Sequence, residues 1–106
     1  QFNLGLMYAT GKGVPQDYEE AARWFRKSAE QGYDKALYNL GILYSKGTGV
    51  PRDFLQAYLC FQLAADQGIQ DAMVYLDVMA RRMTPDQIAE AKEMAKALKE
   101  ATSTAN

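Results

Sequence analysis

Shifted by 36 positions, the chain falls on itself without a gap. Asn3, Leu4, Gly5 and Tyr8 meet Asn39, Leu40, Gly41 and Tyr44. Gly11, Gly13, Val14, Pro15 and Asp17 meet Gly47, Gly49, Val50, Pro51 and Asp53. Ala21, Phe25, Ala29, Gln31, Gly32 and Ala36 meet Ala57, Phe61, Ala65, Gln67, Gly68 and Ala72. A chain that repeats at this period is built from supersecondary units that cannot each bury an apolar face alone, so the units must stack. The 106 residues hold two such copies and a third that begins at Ala72 and keeps Leu76. The third then departs, with Asp77 in place of the glycine and Ala80 in place of the tyrosine.

Each unit reads as two helices. Ala36, Leu40 and Leu43 or Tyr44 recur at helical spacing. Lys46-Gly47-Thr48-Gly49-Val50-Pro51 carries two glycines and a proline and must be a loop. Asp53 and Asp17 then stand as N-caps, with Glu20 three residues after Asp17 in a capping-box-like pattern. Ala21, Trp24, Phe25, Ser28 and Ala29 make one face of the second helix. Glu19 and Arg23, and Arg26 and Glu30, are four apart on a solvated face. Gly32 and Gly68 suit the positive φ of a helix end. The spacing predicts helices near 1–11, 17–31, 34–46, 53–67 and 71–82, and a sixth near 85–101.

Gly5 and Gly41 fall inside helices, where glycine costs roughly 1 kcal/mol against alanine. A repeated, costly glycine implies two helices in close approach. Ala21, Ala29, Ala57 and Ala65 allow the same on the facing helix, and Tyr8, Tyr44, Phe25 and Phe61 fill the space between.

The recurring pattern A-x-x-x-L-G-x-x-Y-x-x-G-x-G-V-x-x-D-x-x-x-A-x-x-x-F-x-x-A-A-x-Q-G resembles the Sel-one-like repeat, a relative of the tetratricopeptide repeat. Ala36–Gly68 fits it nearly throughout, residues 1–35 fit with a late start, and 72–80 fit weakly. The resemblance implies an all-α, right-handed α/α superhelix of helix-turn-helix repeats that serves as a protein-interaction scaffold. Members act in assembly of membrane complexes, secretion, signalling and host contact. Some secreted members carry a disulfide in each repeat; a single cysteine, Cys60, sets this chain apart from them.

Thr84, Pro85 and Gln87 form the start signal of a different helix, with Thr84 as N-cap and Pro85 at its first position. Ile88, Ala91, Ala95 and Leu98 mark its apolar stripe, and Lys92, Lys96 and Lys99 fall on another face. This is read as a C-terminal capping helix. The expected organisation is one solenoid domain: repeat 1 over about 1–35 and incomplete at its start, repeat 2 over 36–71, repeat 3 with the divergent helix over 72–101, and a frayed tail at 102–106. The alanine that the pattern places four residues before Leu4 would precede Gln1, so the first helix opens inside a repeat. That implies further repeats upstream in the natural chain, and an exposed face around Phe2, Leu6 and Met7 able to associate end to end.

Composition excludes several functions. Twelve Lys and Arg against thirteen Asp and Glu give a net charge of −1, with no basic excess for nucleic acid or anionic membrane. No run reaches the about 18 apolar residues of a membrane span, so direct insertion is not expected. Histidine is absent, which removes the commonest general base and metal ligand. Neither a cofactor nor a metal is implied. Gly11-Lys12-Gly13 lacks the spacing and the Ser/Thr of a phosphate loop, and its second copy Gly47-Thr48-Gly49 has no lysine, so a structural turn is the better reading. Asp17 and Asp53 read as caps rather than paired acids. Cys60 aligns with Trp24 at an apolar position and reads as a small buried hydrophobe. Trp24 reads as core.

One constellation suggests a site. Phe2, Tyr38 and Val74 are equivalent, as are Leu6, Ile42 and Val78, and Ala9, Ser45 and Arg81. At i, i+4 and i+7 they form one stripe per first helix and three parallel rows across the stack. In tetratricopeptide relatives the corresponding face lines a concave groove for an extended peptide or a helix. Asn39 borders it, with an amide able to hold a peptide backbone, and Lys46, Arg81 and Arg82 can receive acidic side chains or a terminal carboxylate. The expected partner-binding residues are Tyr38, Asn39, Ile42, Ser45, Lys46, Val74, Val78, Arg81 and Arg82, and the expected ligand is a protein or peptide. The alternative for the apolar rows is that they only hold neighbouring helices together. Two other functions stay open. One is a cell-envelope enzyme-like module of penicillin-binding or lactamase-like type, for which Ser28 and Ser45 lack the required lysine context. The other is a purely structural segment of a larger chain.

Overall fold

The computed structural model describes residues 1–104, with side-chain surroundings through Ala101. Its elements are six helices: α1 (Phe2–Thr10), α2 (Tyr18–Glu30), α3 (Asp34–Lys46), α4 (Phe54–Asp66), α5 (Gln70–Ala80) and α6 (Pro85–Thr104). No strand occurs among the described residues. The first five end within about two residues of the sequence-based bounds. The sixth runs on to Thr104, past the 101 where the tail was expected to fray, and residues 105–106 lie outside the described ones.

The two loops joining the helices of units one and two are built alike. Gly11 N–H donates to the Met7 carbonyl at 2.8 Å, and Gly47 N–H to Leu43 at 2.8 Å. Asp17 N–H reaches back to Tyr8 O at 2.9 Å, and Asp53 N–H to Tyr44 O at 3.0 Å. All four loop glycines have positive φ, from 70° to 81°. The next helix starts on an aspartate cap in both units: Asp17 Oδ1 accepts from Glu19 and Glu20 N–H, and Asp53 Oδ1 from Gln56 N–H. The box expected at Asp17 does not close. Its N–H is already given to Tyr8, and Glu20 turns instead to Arg23, at 3.2 Å. That pairing also takes Arg23 away from Glu19. A reciprocal box does close at Thr84, whose hydroxyl accepts from Gln87 N–H while Gln87 Oε1 accepts from Thr84 N–H.

α2 and α4 end in the same way. Gly32 N–H donates to Ala29 O and Tyr33 N–H to Ser28 O; Gly68 and Ile69 do the same to Ala65 and Ala64. This two-bond closure requires the left-handed residue at Gly32 (φ 81°) and Gly68 (φ 100°).

Each helix packs on its neighbours in sequence from α1 to α5, so the hairpins stack side by side. Fully buried alanines line the seams: Ala21, Ala36, Ala57, Ala64 and Ala72. Gly5 and Gly41 are helical, as expected, but a ring rather than a helix backbone covers them. A Cβ on Gly5 would lie 2.6 Å from the Phe25 ring, and one on Gly41 would lie 2.8 Å from Phe61. Both rings are fully buried. Between units, Arg26 Nη2 donates to the Tyr44 hydroxyl at 3.3 Å.

The third unit closes differently. α6 lies along α4, burying Ala91 and Ala95, and Lys99 Nζ meets Asp66 Oδ2 at 2.8 Å. α5 is therefore left less covered than α3. Leu37 is buried, whereas its equivalent Met73 is 55% exposed.

The loop glycines supply a test of the seam between units. Gly13 and Gly49 both have positive φ, which costs alanine about 1–2 kcal/mol. A Cβ on Gly49 would also collide with the Tyr18 carbonyl of the unit before, whereas one on Gly13 meets only Met7 Cε at 3.4 Å. Gly49→Ala should therefore melt lower than Gly13→Ala by about 4–8 °C, corresponding to about 1 kcal/mol of added strain. Equal melting temperatures would show that this contact does not hold the units together.

Candidate partner-binding surface

The stripe begins in an aromatic cluster. Tyr38, on the second turn of α3, is half-buried, with its ring centroid 6.0 Å from Phe61 and 5.8 Å from Tyr75 on α5. Phe61 and Tyr75 stack at 4.9 Å, 12° from parallel. Burial, then the neighbouring Tyr75 and Asp71, push the Tyr38 hydroxyl above its ordinary pKa. The first unit has the counterpart of this pair in Phe2 and Phe25, 5.6 Å apart. Tyr38 thus meets Tyr75 across the seam, not Val74. Tyr75 occupies the position of Asn3 and Asn39, and that asparagine-to-tyrosine change was the available signal for it.

The polar members of the stripe are partly engaged in their own helix. Asn39 Nδ2 donates to Lys35 O at 2.8 Å, while its side-chain carbonyl accepts no hydrogen bond among the described residues. Ser45 Oγ donates to Ile42 O at 2.7 Å, so its hydroxyl proton is already used. Ile42 is half-buried against the core. Lys46 is exposed at the last turn of α3.

On α5 the picture reverses. Val74 is 64% and Val78 41% exposed, one turn apart on the same face. Arg81 is exposed just past the end of this helix. Arg82 points elsewhere: its guanidinium carbon lies 5.5 Å from the Phe54 ring centroid, at the start of α4. The structure therefore brings together Tyr38 and Ile42 around one core cluster, presents Val74 and Val78 outward, and turns Arg82 toward α4.

The remaining reactive candidates are held inert. Cys60 is buried, and desolvation pushes its thiol up to about 12 despite an opposing effect from Arg26. Ser28 is buried. Trp24 is half-buried, with Lys27 Nζ 4.7 Å from its ring centroid and its buried indole N–H without an acceptor among the described residues. No grouping of three His, Cys, Asp or Glu suited to a metal occurs among the described residues. Nor, among them, is any helix long and apolar enough to cross a membrane.

An all-α stack of helical hairpins with repeated loops, caps and glycine–ring contacts defines a helical repeat protein. The Sel1 repeat family model matches residues 1–33 and 34–69, and the chain belongs to that family. Repeats of this family are generally protein-interaction scaffolds and typically non-catalytic. A protective antigen of uropathogenic Escherichia coli, described as displaying an SLR fold, is similar at 35% identity and a TM-score of 0.87 over 93% of this chain. A Sel1 repeat protein from Oxalobacter formigenes is 38% identical with a TM-score of 0.68 over 70% of the chain. The chain spans 21% of the first and 30% of the second. No curated protein matches it.

The buried thiol gives a pH test. Its folded pKa of about 12 stands above the ordinary 9.0, so the unfolded chain loses the proton first as pH rises. The associated stability is complete below the ordinary value and is lost on the way up to the folded one. Cys60→Ala should flatten the alkaline fall in stability by roughly 1 kcal/mol per pH unit in that window. Denaturant melts at stepped pH check it, and parallel curves for the two proteins would refute it.

Proposed function

We propose that this chain is a non-catalytic scaffold that holds a partner peptide or helix along the face carrying Tyr38, Asn39, Ile42, Ser45, Val74 and Val78. Lys46 and Arg81 stand at its basic end, while Arg82, expected there as well, is turned to Phe54 on α4. The observation that supports this most is the exposure of Val74 and Val78 on a helix whose opposite side is core. Two β-branched residues one turn apart lose little side-chain freedom when a partner covers them, since β-branched side chains are already stiff, and they offer it an apolar seat. The half-buried Tyr38–Tyr75 pair supplies rigid aromatic edges beside it. The Asn39 carbonyl can accept from a partner backbone N–H. We read the domain as repeats over about 1–35, 36–71 and 72–101; the first family match ends two residues earlier, at 33, and the second, 34–69, starts and ends two residues earlier.

The test is selection of binding peptides from a random library, followed by amide shift mapping on the labelled protein. The expected shifts cluster within 38–46 and 74–82, and Val78→Asp weakens the selected peptides about tenfold, equivalent to about 1.4 kcal/mol. Shifts confined to the outer faces of α2 and α6 would reject the reading.

A further inference from the structure

The two arginines gathered on Phe54 form a corner that the interaction stripe does not use. Arg52, in the α3–α4 loop, has its guanidinium carbon 5.1 Å from the Phe54 ring centroid, and Arg82, in the α5–α6 turn, lies at 5.5 Å from the same centroid. Both are exposed. The close turn at Gly47 sets Arg52 there, since a Cβ on Gly47 would lie 3.1 Å from Arg52 Cβ. Neither guanidinium makes an ion pair or donates a hydrogen bond among the described residues, where the ion pairs are Arg23–Glu20 and Lys99–Asp66. The neighbouring carboxylate, Asp53, accepts from the Gln56 N–H as the cap of α4.

The same corner in the first unit is self-satisfied. Gln16 and Tyr18 stand where Arg52 and Phe54 do, and Gln16 Nε2 donates to the Tyr18 hydroxyl at 3.0 Å and to Ala9 O at 2.8 Å. Replacing glutamine by arginine and tyrosine by phenylalanine removes the acceptor and adds a charge. Arg82 then brings a second charge to the same ring. An aromatic face attracts each guanidinium by about 0.5–1 kcal/mol at an exposed site, yet it provides no hydrogen-bond acceptor for their N–H edges. Drawn to a ring that accepts no hydrogen bond, a guanidinium keeps its planar fork of donors free for a bidentate carboxylate.

We propose that Arg52 and Arg82, mounted on Phe54, are a seat for two neighbouring carboxylates of an acidic polypeptide segment. A net charge of −1 gives the chain no broad basic field of the kind that gathers nucleic acid or anionic membrane. Two local forks without an acid of their own suit carboxylate side chains instead. This corner takes Arg82 away from the stripe expected of the sequence and does not need that stripe to be occupied.

The experiment measures fluorescence anisotropy of a labelled decapeptide of alternating Glu and Ser, and of its Gln counterpart, at low ionic strength. The Glu peptide is expected to bind saturably and the Gln peptide not. Arg52→Gln/Arg82→Gln should weaken binding about tenfold. Arg23→Gln, which removes a charge from an already paired site, should leave it within about twofold. Circular dichroism of each variant confirms its helicity, and Arg52→Lys/Arg82→Lys, which keeps both charges, should bind between the two extremes if the fork matters. Equal binding by wild type and the Gln double variant overturns the proposal, as does an equal loss in Arg23→Gln. Inorganic phosphate or phosphatidylserine vesicles that displace the peptide at lower concentration would also overturn it, in favour of a phosphate or lipid site. Tyr38→Ala separates the two surfaces. Unchanged Glu-peptide binding there supports the arginine seat whatever becomes of the stripe. Loss there, with retention in the arginine double variant, overturns the seat.

Discussion

A phenylalanine ring lies on a helical glycine once in each of the first two units, Phe25 on Gly5 and Phe61 on Gly41. The glycine is unfavourable in its helix by roughly 1 kcal/mol, and the fully buried aromatic ring offsets that by about 1.5–3 kcal/mol. Because the ring comes from the second helix and the glycine from the first, the contact fixes both the spacing and the rotation of the hairpin. Once the hairpin is set, Ala21, Ala36, Ala57 and Ala72 can meet the adjoining unit at full burial. The ring's outer side remains available, and Phe61 uses it to stack on Tyr75 of the following unit.

The same interlock positions the candidate surface. With Phe61 held on Gly41, Tyr38 lies against its edge, three residues before the glycine and on the adjacent face. Across the seam, α5 follows α4 closely enough to place Tyr75 in the cluster, and its exposed side then carries Val74 and Val78. α6 docks along α4 and leaves Met73 and the two valines uncovered. The open face is thus a consequence of where the last helix goes, not of a separate loop or insertion.

Much of this was legible in the sequence. The 36-residue period, with its 15 identities, defined the unit, and the Gly-x-Gly loops, the Asp caps and the terminal glycines each had a local reason that the backbone repeats in both copies. Local rules failed where two partners competed for one group. Glu20 was free to bond the Asp17 N–H or Arg23, and the loop settled it by giving the Asp17 N–H to Tyr8. Gly41 pointed to close approach, but spacing alone does not say whether a backbone or a ring arrives there. On the surface, aligning Tyr38 with Val74 gave the row but not the neighbour, because the residue that crosses the seam is Tyr75, one position on. Equivalence aligns Arg82 with the stripe but says nothing about where a long side chain turns, and an aromatic ring on α4 attracts it.

Coupling between Gly41 and Phe61 is the most direct measure of whether the glycine–ring contact organises the repeat. Denaturant unfolding of wild type, Gly41→Ala, Phe61→Leu and the double variant yields the interaction energy. If the ring lies on the glycine, Gly41→Ala destabilises the parent by about 1–3 kcal/mol through overpacking, although alanine is the better helix former. In the Phe61→Leu background that loss shrinks or turns into a gain, with at least about 1 kcal/mol of coupling. Additive effects, or a Gly41→Ala variant more stable than the parent, would contradict the account.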